Sequence, residues 1–270
     1  IDSSLATSAC GSLWCYGDSS TYKTMERYLP ESSGTDIQNW STFATLLPNG
    51  TNADGLPISG TPGRRNSINY YPAIATLTQN TTLTTARSPY ITGITVPAGI
   101  TLTIEPGVVI KMPSIYSAFL INGSLMAGGT ASNPIVITSF KDDTYAGDTN
   151  ADGTATSPSP GDWGSIKITS SSASSTLSHA VIRYGGVEDA AVAHWANLKI
   201  ENASTTVSRS VIEKSNTYGI WMKQGGGTIL HSTISQNNRN IPGQTKGIGI
   251  LLEESSPTIQ NNTITQNTHG

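Results

Sequence analysis

From about residue 75 onward, apolar and polar residues alternate in short segments that are typical of β-strands. These segments are rich in Thr, Val and Ile, and Gly, Pro or Asn punctuates each of them. The clearest lie within Tyr90–Pro97, Ile100–Met112, Ala118–Gly129 and Pro134–Phe140. Because no segment of helix length separates them, alternating strand–helix units are not expected. The pattern predicts an all-β domain.

The C-terminal half of the chain contains an internal repeat. Residues 219–237 align with residues 249–267 at a constant offset of 30. Two earlier copies extend the alignment, and four isoleucines become equivalent at intervals of 30, 22 and 30 residues: Ile182, Ile212, Ile234 and Ile264. A coil of about 22 residues, with insertions of about eight in alternate coils, accounts for these intervals.

One such coil cannot bury its apolar face alone, but stacked coils can, because each strand then pairs in parallel with its equivalents above and below. The repeat therefore predicts a parallel β-helix in which the four isoleucines form one interior ladder. Asn237 and Asn267 are expected at a tight corner, where Asn tolerates the left-handed conformation. A β-sandwich of short strands is the alternative, although a sandwich does not require a fixed period.

Residues 1–74 have a different composition and do not repeat. Tyr and Trp cluster here, and a short helix is expected around Tyr22–Leu29. This region is interpreted as a cap or a small preceding domain, so that the β-helix spans residues 75–270. Cys10 and Cys15, with four residues between them, suit a local disulfide loop in an oxidising compartment, and free thiols are the alternative.

The repeat also places Gly270 where Gly219 lies in an earlier coil, one residue before a strand. A bare end of this kind offers unpaired backbone groups. We therefore expect the β-helix to be truncated here, with further coils of the same chain or another subunit covering the last coil.

Composition narrows the range of partners. Charged residues make up 12% of the chain, the net charge is −3, and there is no Lys/Arg run, so nucleic acid is not an expected partner. No apolar run is long enough to span a membrane. The segment starts at Ile1 without a signal-peptide core, so any targeting signal would have been removed or would lie outside it.

The strongest local motif lies in an insertion at residues 141–162. Asp148, Asn150 and Asp152 alternate and precede a glycine, as the first ligands of a calcium loop do. The position at which an EF-hand has its Glu is occupied by Ser159, so the missing carboxylate would come from Asp142, Asp143 or Asp162. The motif predicts a structural Ca²⁺ site, and a solvated acidic loop is the alternative.

Segments 88–111 and 120–139 resemble the opening coils of bacterial right-handed parallel β-helix repeat proteins. The segment Gly161-Asp-Trp-Gly-Ser-Ile and the ending Ser-Pro-Thr-Ile-Gln-Asn-Asn-Thr-Ile are similar to the same group. The resemblance implies a right-handed solenoid over about residues 75–270. It does not imply one function, because this architecture serves adhesins, surface-layer and sheath components, tailspikes and polysaccharide-cleaving enzymes.

Four polar residues occupy equivalent positions in successive coils and are expected to form a column: His179, Arg209, His231 and Asn261. No clustered carboxylate pair accompanies them, and Glu188–Asp189 and Glu253–Glu254 are sequence neighbours that point to opposite faces of a strand. Trp195 and Trp221 could stack on sugars, although core packing is favoured for Trp221, which Leu251 replaces in the next coil.

These observations favour an extracellular or surface-anchored structural or adhesive protein without catalytic activity, such as a component of a surface layer, sheath or filament. The alternative is a β-helix that binds or degrades polysaccharide, as a lyase or a glycoside hydrolase. Its own subunits, further coils of the chain or a polysaccharide are the expected partners.

Overall fold

The computed structural model describes residues 75–150, 152–169, 174–187, 196–237 and 247–269, and the backbone of two short strands before them. Contacts between Cα atoms divide the chain into two compact units. One contains residues 1–72 with Asn150–Gly153, and the other contains residues 73–149 and 154–270.

In the first unit, β1 (Met25–Arg27) pairs in antiparallel fashion with β2 (Trp40–Thr42). The short helix expected around Tyr22–Leu29 is therefore wrong, because inter-strand pairing outweighs the weak helical preference of this segment. The two cysteines and most of the aromatic cluster lie outside the described residues.

The second unit consists of three seven-stranded parallel sheets, and each coil of the chain adds one strand to each sheet in turn. Sheet 1 contains β3 (Ala75–Thr76), β6 (Ile94–Val96), β9 (Phe119–Ile121), β12 (Ile166–Ile168), β15 (Ala196–Glu201), β18 (Tyr218–Lys223) and β21 (Ile250–Glu253). Sheet 2 contains β4 (Thr81–Leu83), β7 (Thr101–Ile104), β10 (Ser124–Gly128), β13 (Ser175–Ser178), β16 (Ser204–Ser208), β19 (Gly226–Leu230) and β22 (Thr258–Gln260). Sheet 3 contains β5 (Tyr90–Ile91), β8 (Val109–Met112), β11 (Ile135–Ser139), β14 (Ala180–Arg183), β17 (Val211–Glu213), β20 (Thr233–Ser235) and β23 (Thr263–Thr265).

This arrangement confirms the parallel β-helix that the repeat predicts. The strands are short because each covers one side of a narrow core, and their apolar residues alternate so that every second side chain points inward. The core is built of Ile, Leu and Val, with larger side chains such as Phe119 and Trp163 fully buried.

The four isoleucines stack in one column, as expected. Ile182 pairs with Ile212, Ile212 with Ile234, and Ile234 with Ile264. The first three are fully buried, but 43% of the Ile264 surface is exposed. Ile264 keeps its place in the column but is less buried than expected, because in this structure the coil that contains it has a neighbour on one side only.

The corners of the coils use left-handed residues, but not the expected ones. Gln236 and Gln266 have φ of 56° and 55°, whereas Asn237 and Asn267, which follow them, do not have positive φ. The two asparagines instead bind backbone groups of neighbouring coils: Asn237 Nδ2 donates to Ile212 O (3.4 Å), and Asn237 N donates to Asn267 Oδ1 (3.0 Å). An amide side chain is needed here because it satisfies both a donor and an acceptor inside the corner.

Ile212→Ala is expected to lower the free energy of unfolding by about 2–5 kcal/mol, because it opens a cavity between two stacked isoleucines. Ile264→Ala is the matched control and is expected to cost clearly less, since that side chain is already partly exposed. Urea unfolding followed by circular dichroism measures both values. Equal losses for the two variants would contradict the assigned burial.

Candidate metal centre and charged outer faces

The insertion between β11 and β12 lies against the outer face of sheet 3, where a buried lysine holds it. Lys111 projects outward from β8, beside Thr138 of β11, and its side chain is fully buried. Its Nζ donates a hydrogen bond to Gly147 O at 2.7 Å. Burial lowers the pKa of Lys111, and the carboxylates of Asp143, Asp142 and Asp148 oppose that shift by stabilising the ammonium.

Arg183 holds the start of the same insertion. Its Nε lies 3.5 Å from Asp142 Oδ2 and 3.6 Å from Glu213 Oε1, and Asp142 is buried. Thr138 Oγ1 also donates to Asp142 Oδ2, at 2.5 Å. Asp142 therefore forms a structural ion pair with Arg183. It is not one of the three carboxylates that converge in the insertion, Asp143, Asp148 and Asp152.

Aromatic rings complete the surroundings of the guanidinium. The Cζ atom of Arg183 lies 4.6 Å from the centre of the Tyr184 ring and 5.5 Å from that of Tyr145. Its terminal nitrogen donates to Tyr184 Oη at 2.6 Å. Burial disfavours the charge of Arg183, but the hydrogen bond to Tyr184 and the carboxylates of Asp142 and Glu213 outweigh it, so the pKa of Arg183 is raised.

Three of the six candidate metal ligands converge. Carboxylate oxygens of Asp143, Asp148 and Asp152 all lie within 4.8 Å of one another. Asn150 lies beside them, with its Nδ2 donating to Asp152 Oδ2 at 2.7 Å. Carboxylate and amide oxygens at this spacing match the donor set that a hard cation such as Ca²⁺ requires.

Asp162, a further candidate for the missing carboxylate, is held elsewhere. Its Oδ2 accepts from Ser139 Oγ at 2.7 Å and from Ser159 N at 2.9 Å, and its Oδ1 accepts from Lys141 Nζ at 2.8 Å. These contacts fix the C-terminal end of the insertion to β11.

Sequence reasoning missed the two cations that hold the insertion. Lys111 and Arg183 sit at outward positions near the ends of otherwise apolar strands of sheet 3. A charged residue at the end of a strand of buried residues indicates that a partner of opposite charge lies nearby. The sequence does not indicate which loop supplies that partner.

A second charged cluster lies on the outer face of sheet 1. Lys199 stacks between Lys167 and Trp221 in register, and its Nζ lies 4.1 Å from the centre of the Trp221 ring. Glu201 Oε2 lies 3.1 Å from Lys167 Nζ and 3.7 Å from Lys199 Nζ. Burial lowers the pKa of Lys199, and the positive charges of Lys167 and Lys223 add to this effect although Glu201 opposes it.

The core position favoured for Trp221 is wrong. Its neighbours Ile220 and Met222 are fully buried, so Trp221 points outward and is half-buried against Lys199. Its edge-to-face contact with Tyr218, with ring centres 5.9 Å apart, holds the indole on this face. Trp195 lies outside the described residues.

The expected polar column is confirmed at the corner between sheets 2 and 3. Its members share φ values between 48° and 56°: His179, Arg209, His231 and Asn261. Backbone hydrogen bonds join their coils, with the amide of one corner donating to the next coil, as Arg209 N does to Leu230 O at 3.0 Å. The column is therefore a structural corner with solvated side chains.

The carboxylate pairs offer no catalytic geometry within the described residues. Glu253 lies on the outer face of sheet 1, with its Oε2 4.0 Å from Lys223 Nζ. Glu254 occupies the next corner, with φ of 49°, and accepts from Gln224 Nε2 at 2.7 Å. Glu188 and Asp189 lie outside the part of the chain that the structure describes.

Comparison with known proteins agrees with this architecture. Residues 164–270 match the family described as "Right handed beta helix region". No curated protein and no solved structure gave a significant match. Together with the three parallel sheets, the match defines this chain as a right-handed parallel β-helix repeat protein. Among the described residues, no helix has the length and apolar character needed to cross a membrane.

Arg183→Met is expected to lower the free energy of unfolding by about 3–5 kcal/mol, because it leaves Asp142 as a buried charge without its partner. Adding Asp142→Asn should recover much of that loss, since the second change removes the uncompensated charge. Lys141→Met is the control: its partly exposed pair with Asp162 is expected to contribute at most about 1 kcal/mol.

Chemical denaturation of the single and double variants measures these differences. If Arg183→Met and Lys141→Met cost the same, Arg183 does not hold the insertion in the way described here.

Proposed function

We propose that this protein is an extracellular structural or adhesive β-helix that works as a building block of a surface layer, sheath or filament. The observation that supports the proposal is a continuous stack of three seven-stranded parallel sheets whose charged groups, such as Lys111, Arg183 and Asp142, hold an insertion in place.

The partner that suits such a stack is another coil of the same repeat, because its backbone would continue three parallel ladders at once. Further coils of the chain or a second copy could supply it. A second copy that docks end to end forms a contact that does not close on itself, which builds a filament.

The polar groups of the β-helix support a structural role rather than a catalytic one. Lys111, Arg183 and Asp142 hold an insertion, and the residues of the polar column form a corner. The low content of charge and the many Ser, Thr and Asn residues accord with an extracellular location.

The alternative is a β-helix that binds or degrades polysaccharide. The observation that favours it is the outer face of sheet 1, where Trp221 and the three lysines Lys167, Lys199 and Lys223 lie together. An aromatic ring with polar groups around it suits a sugar, but Lys199 already covers one side of this indole. The structural proposal therefore ranks first.

We also propose that Ca²⁺ binds in the insertion through Asp143, Asp148 and Asp152, with Asn150 as a further ligand. Lys111 stabilises the carboxylates of this insertion and Arg183 pairs with Asp142, while the oxygens of Asp143, Asp148 and Asp152 lie within 4.8 Å of one another. A divalent cation would relieve their repulsion and supply the centre that their oxygens surround.

Self-association tests the structural proposal. Sedimentation velocity over a concentration series is expected to show growing species, because copies of a building block associate with one another. Ile264→Lys should abolish this growth, because it places a charge at an inward position of the stack that is 43% exposed in this structure. Thr265→Lys, on the outward side of the same strand, should leave it largely intact. A monomer at every concentration would contradict docking between copies.

Calcium binding is tested by thermal unfolding in Ca²⁺ and in excess chelator. Because the ion binds the folded state, the melting temperature is expected to rise with Ca²⁺. Asp148→Asn combined with Asp152→Asn should abolish the response, while Glu254→Gln, which removes a carboxylate at an exposed corner, should retain it. An identical melting temperature in both buffers for the unaltered protein would contradict the site.

A further inference from the structure

The outer face of sheet 2 carries a column of threonines. Strand pairing places one outward residue from each of the seven coils in a single row. The row contains six threonines and one methionine: Thr82, Thr103, Met126, Thr176, Thr206, Thr228 and Thr258.

Charge is absent from this face and present on the other two. None of the seven strands of sheet 2 contains Asp, Glu, Lys, Arg, His or an aromatic residue. The outward positions of sheet 1 include Lys167, Lys199 and Trp221, and those of sheet 3 include Lys111 and Arg183. Thr favours strands in general, but that preference applies equally to all three sheets, so it does not explain the difference.

The row is regular along the stacking direction. Successive strands are about 4.8 Å apart, so seven strands extend the row over roughly 29 Å. The hydroxyl oxygens of Thr206 and Thr228 lie 3.3 Å apart, and Thr176 Oγ1 approaches Met126 Sδ at 3.7 Å. Each threonine remains partly or largely exposed.

Most of the flanking outward positions are small. On one side of the row lie Thr101, Ser124 and Ser204. On the other side lie Ser178 and Ser208, and the long side chains of Leu230 and Gln260 continue that side in the last two coils, beside Thr228 and Thr258. Met126 interrupts the row and is 42% exposed. The face therefore offers repeated hydroxyl and methyl groups at a constant interval.

Such a face suits a ligand that is itself a regular array of neutral hydrogen-bonding groups. Thr is β-branched and stiff at χ1, so its hydroxyl and methyl groups keep fixed directions. The interval between strands is close to the repeat of oxygen atoms along the a axis of ice. Hydroxyl groups at that interval can join an ordered water layer, and the methyl groups between them order the adjoining water. Charged groups would instead orient the surrounding water molecules around themselves and disturb this ordered layer.

We propose that the outer face of sheet 2 binds ice. The proposal is independent of the structural role proposed above, because it uses a different face of the β-helix and needs no partner chain. It is compatible with a surface-anchored protein, whose ice-binding face would attach its carrier to a crystal.

Thermal hysteresis and the shape of a single ice crystal test the proposal directly. The unaltered protein is expected to shape the crystal and to lower its growth temperature below the melting point. Thr206→Lys should abolish both effects, because it places a charge at the centre of the row. Thr95→Lys is the matched control, an outward and half-buried threonine on sheet 1, and should retain both effects.

Met126→Thr is the complementary variant. It completes the row, so the hysteresis at equal protein concentration is expected to exceed that of the unaltered protein. The fraction of labelled protein that enters a slowly growing ice hemisphere should rank in the same way, highest for Met126→Thr, lower for the unaltered protein and lowest for Thr206→Lys. Circular dichroism and the melting temperature confirm that each variant is folded, and a gain by Met126→Thr cannot arise from unfolding.

Two outcomes would overturn the proposal. One is a folded protein that shows no hysteresis, no crystal shaping and exclusion from ice. The other is an equal loss for Thr206→Lys and Thr95→Lys, which would mean that ice binding, if present, does not use this face.

Discussion

In-register stacking of coils is the constraint on which the rest of the structure depends. No coil has a core of its own, so each strand needs the parallel ladders and the apolar side chains of its neighbours. This requirement explains why equivalent positions such as Ile182, Ile212 and Ile234 share one residue type, and why Asn237 bonds into the next coil rather than into its own turn.

The same constraint leaves the outer faces free to differ. Inward positions must be apolar in all three sheets, but an outward position meets only its equivalents above and below. Sheet 3 uses that freedom for Lys111 and Arg183, which hold an acidic insertion, whereas sheet 1 carries Lys199 against Trp221. Sheet 2 carries uncharged threonines. Three surfaces of different chemistry therefore rest on one uniform core.

The insertion shows how a long loop is tied to such a scaffold. Its backbone is anchored through Lys111 to Gly147, and its buried Asp142 through Arg183 and Thr138. Asp162 fixes the other end through Ser139 and Lys141. The carboxylates of Asp143, Asp148 and Asp152 lie in the insertion between these anchors. Because the insertion is fixed at both ends, these carboxylates are held close to one another.

The sequence by itself determined the fold class, the coil length, the isoleucine ladder and the polar column, because stacking forces equivalent positions to repeat in the chain. It also pointed to the acidic loop, since the alternating Asp and Asn residues are local. Only the tertiary structure decided which distant side chains share a face. Met126 and Thr176 lie side by side although 50 residues separate them, because insertions of unequal length intervene between coils and hide the register. For the same reason the partners of Asp142 and the outward direction of Trp221 follow from packing and not from any pattern in the chain.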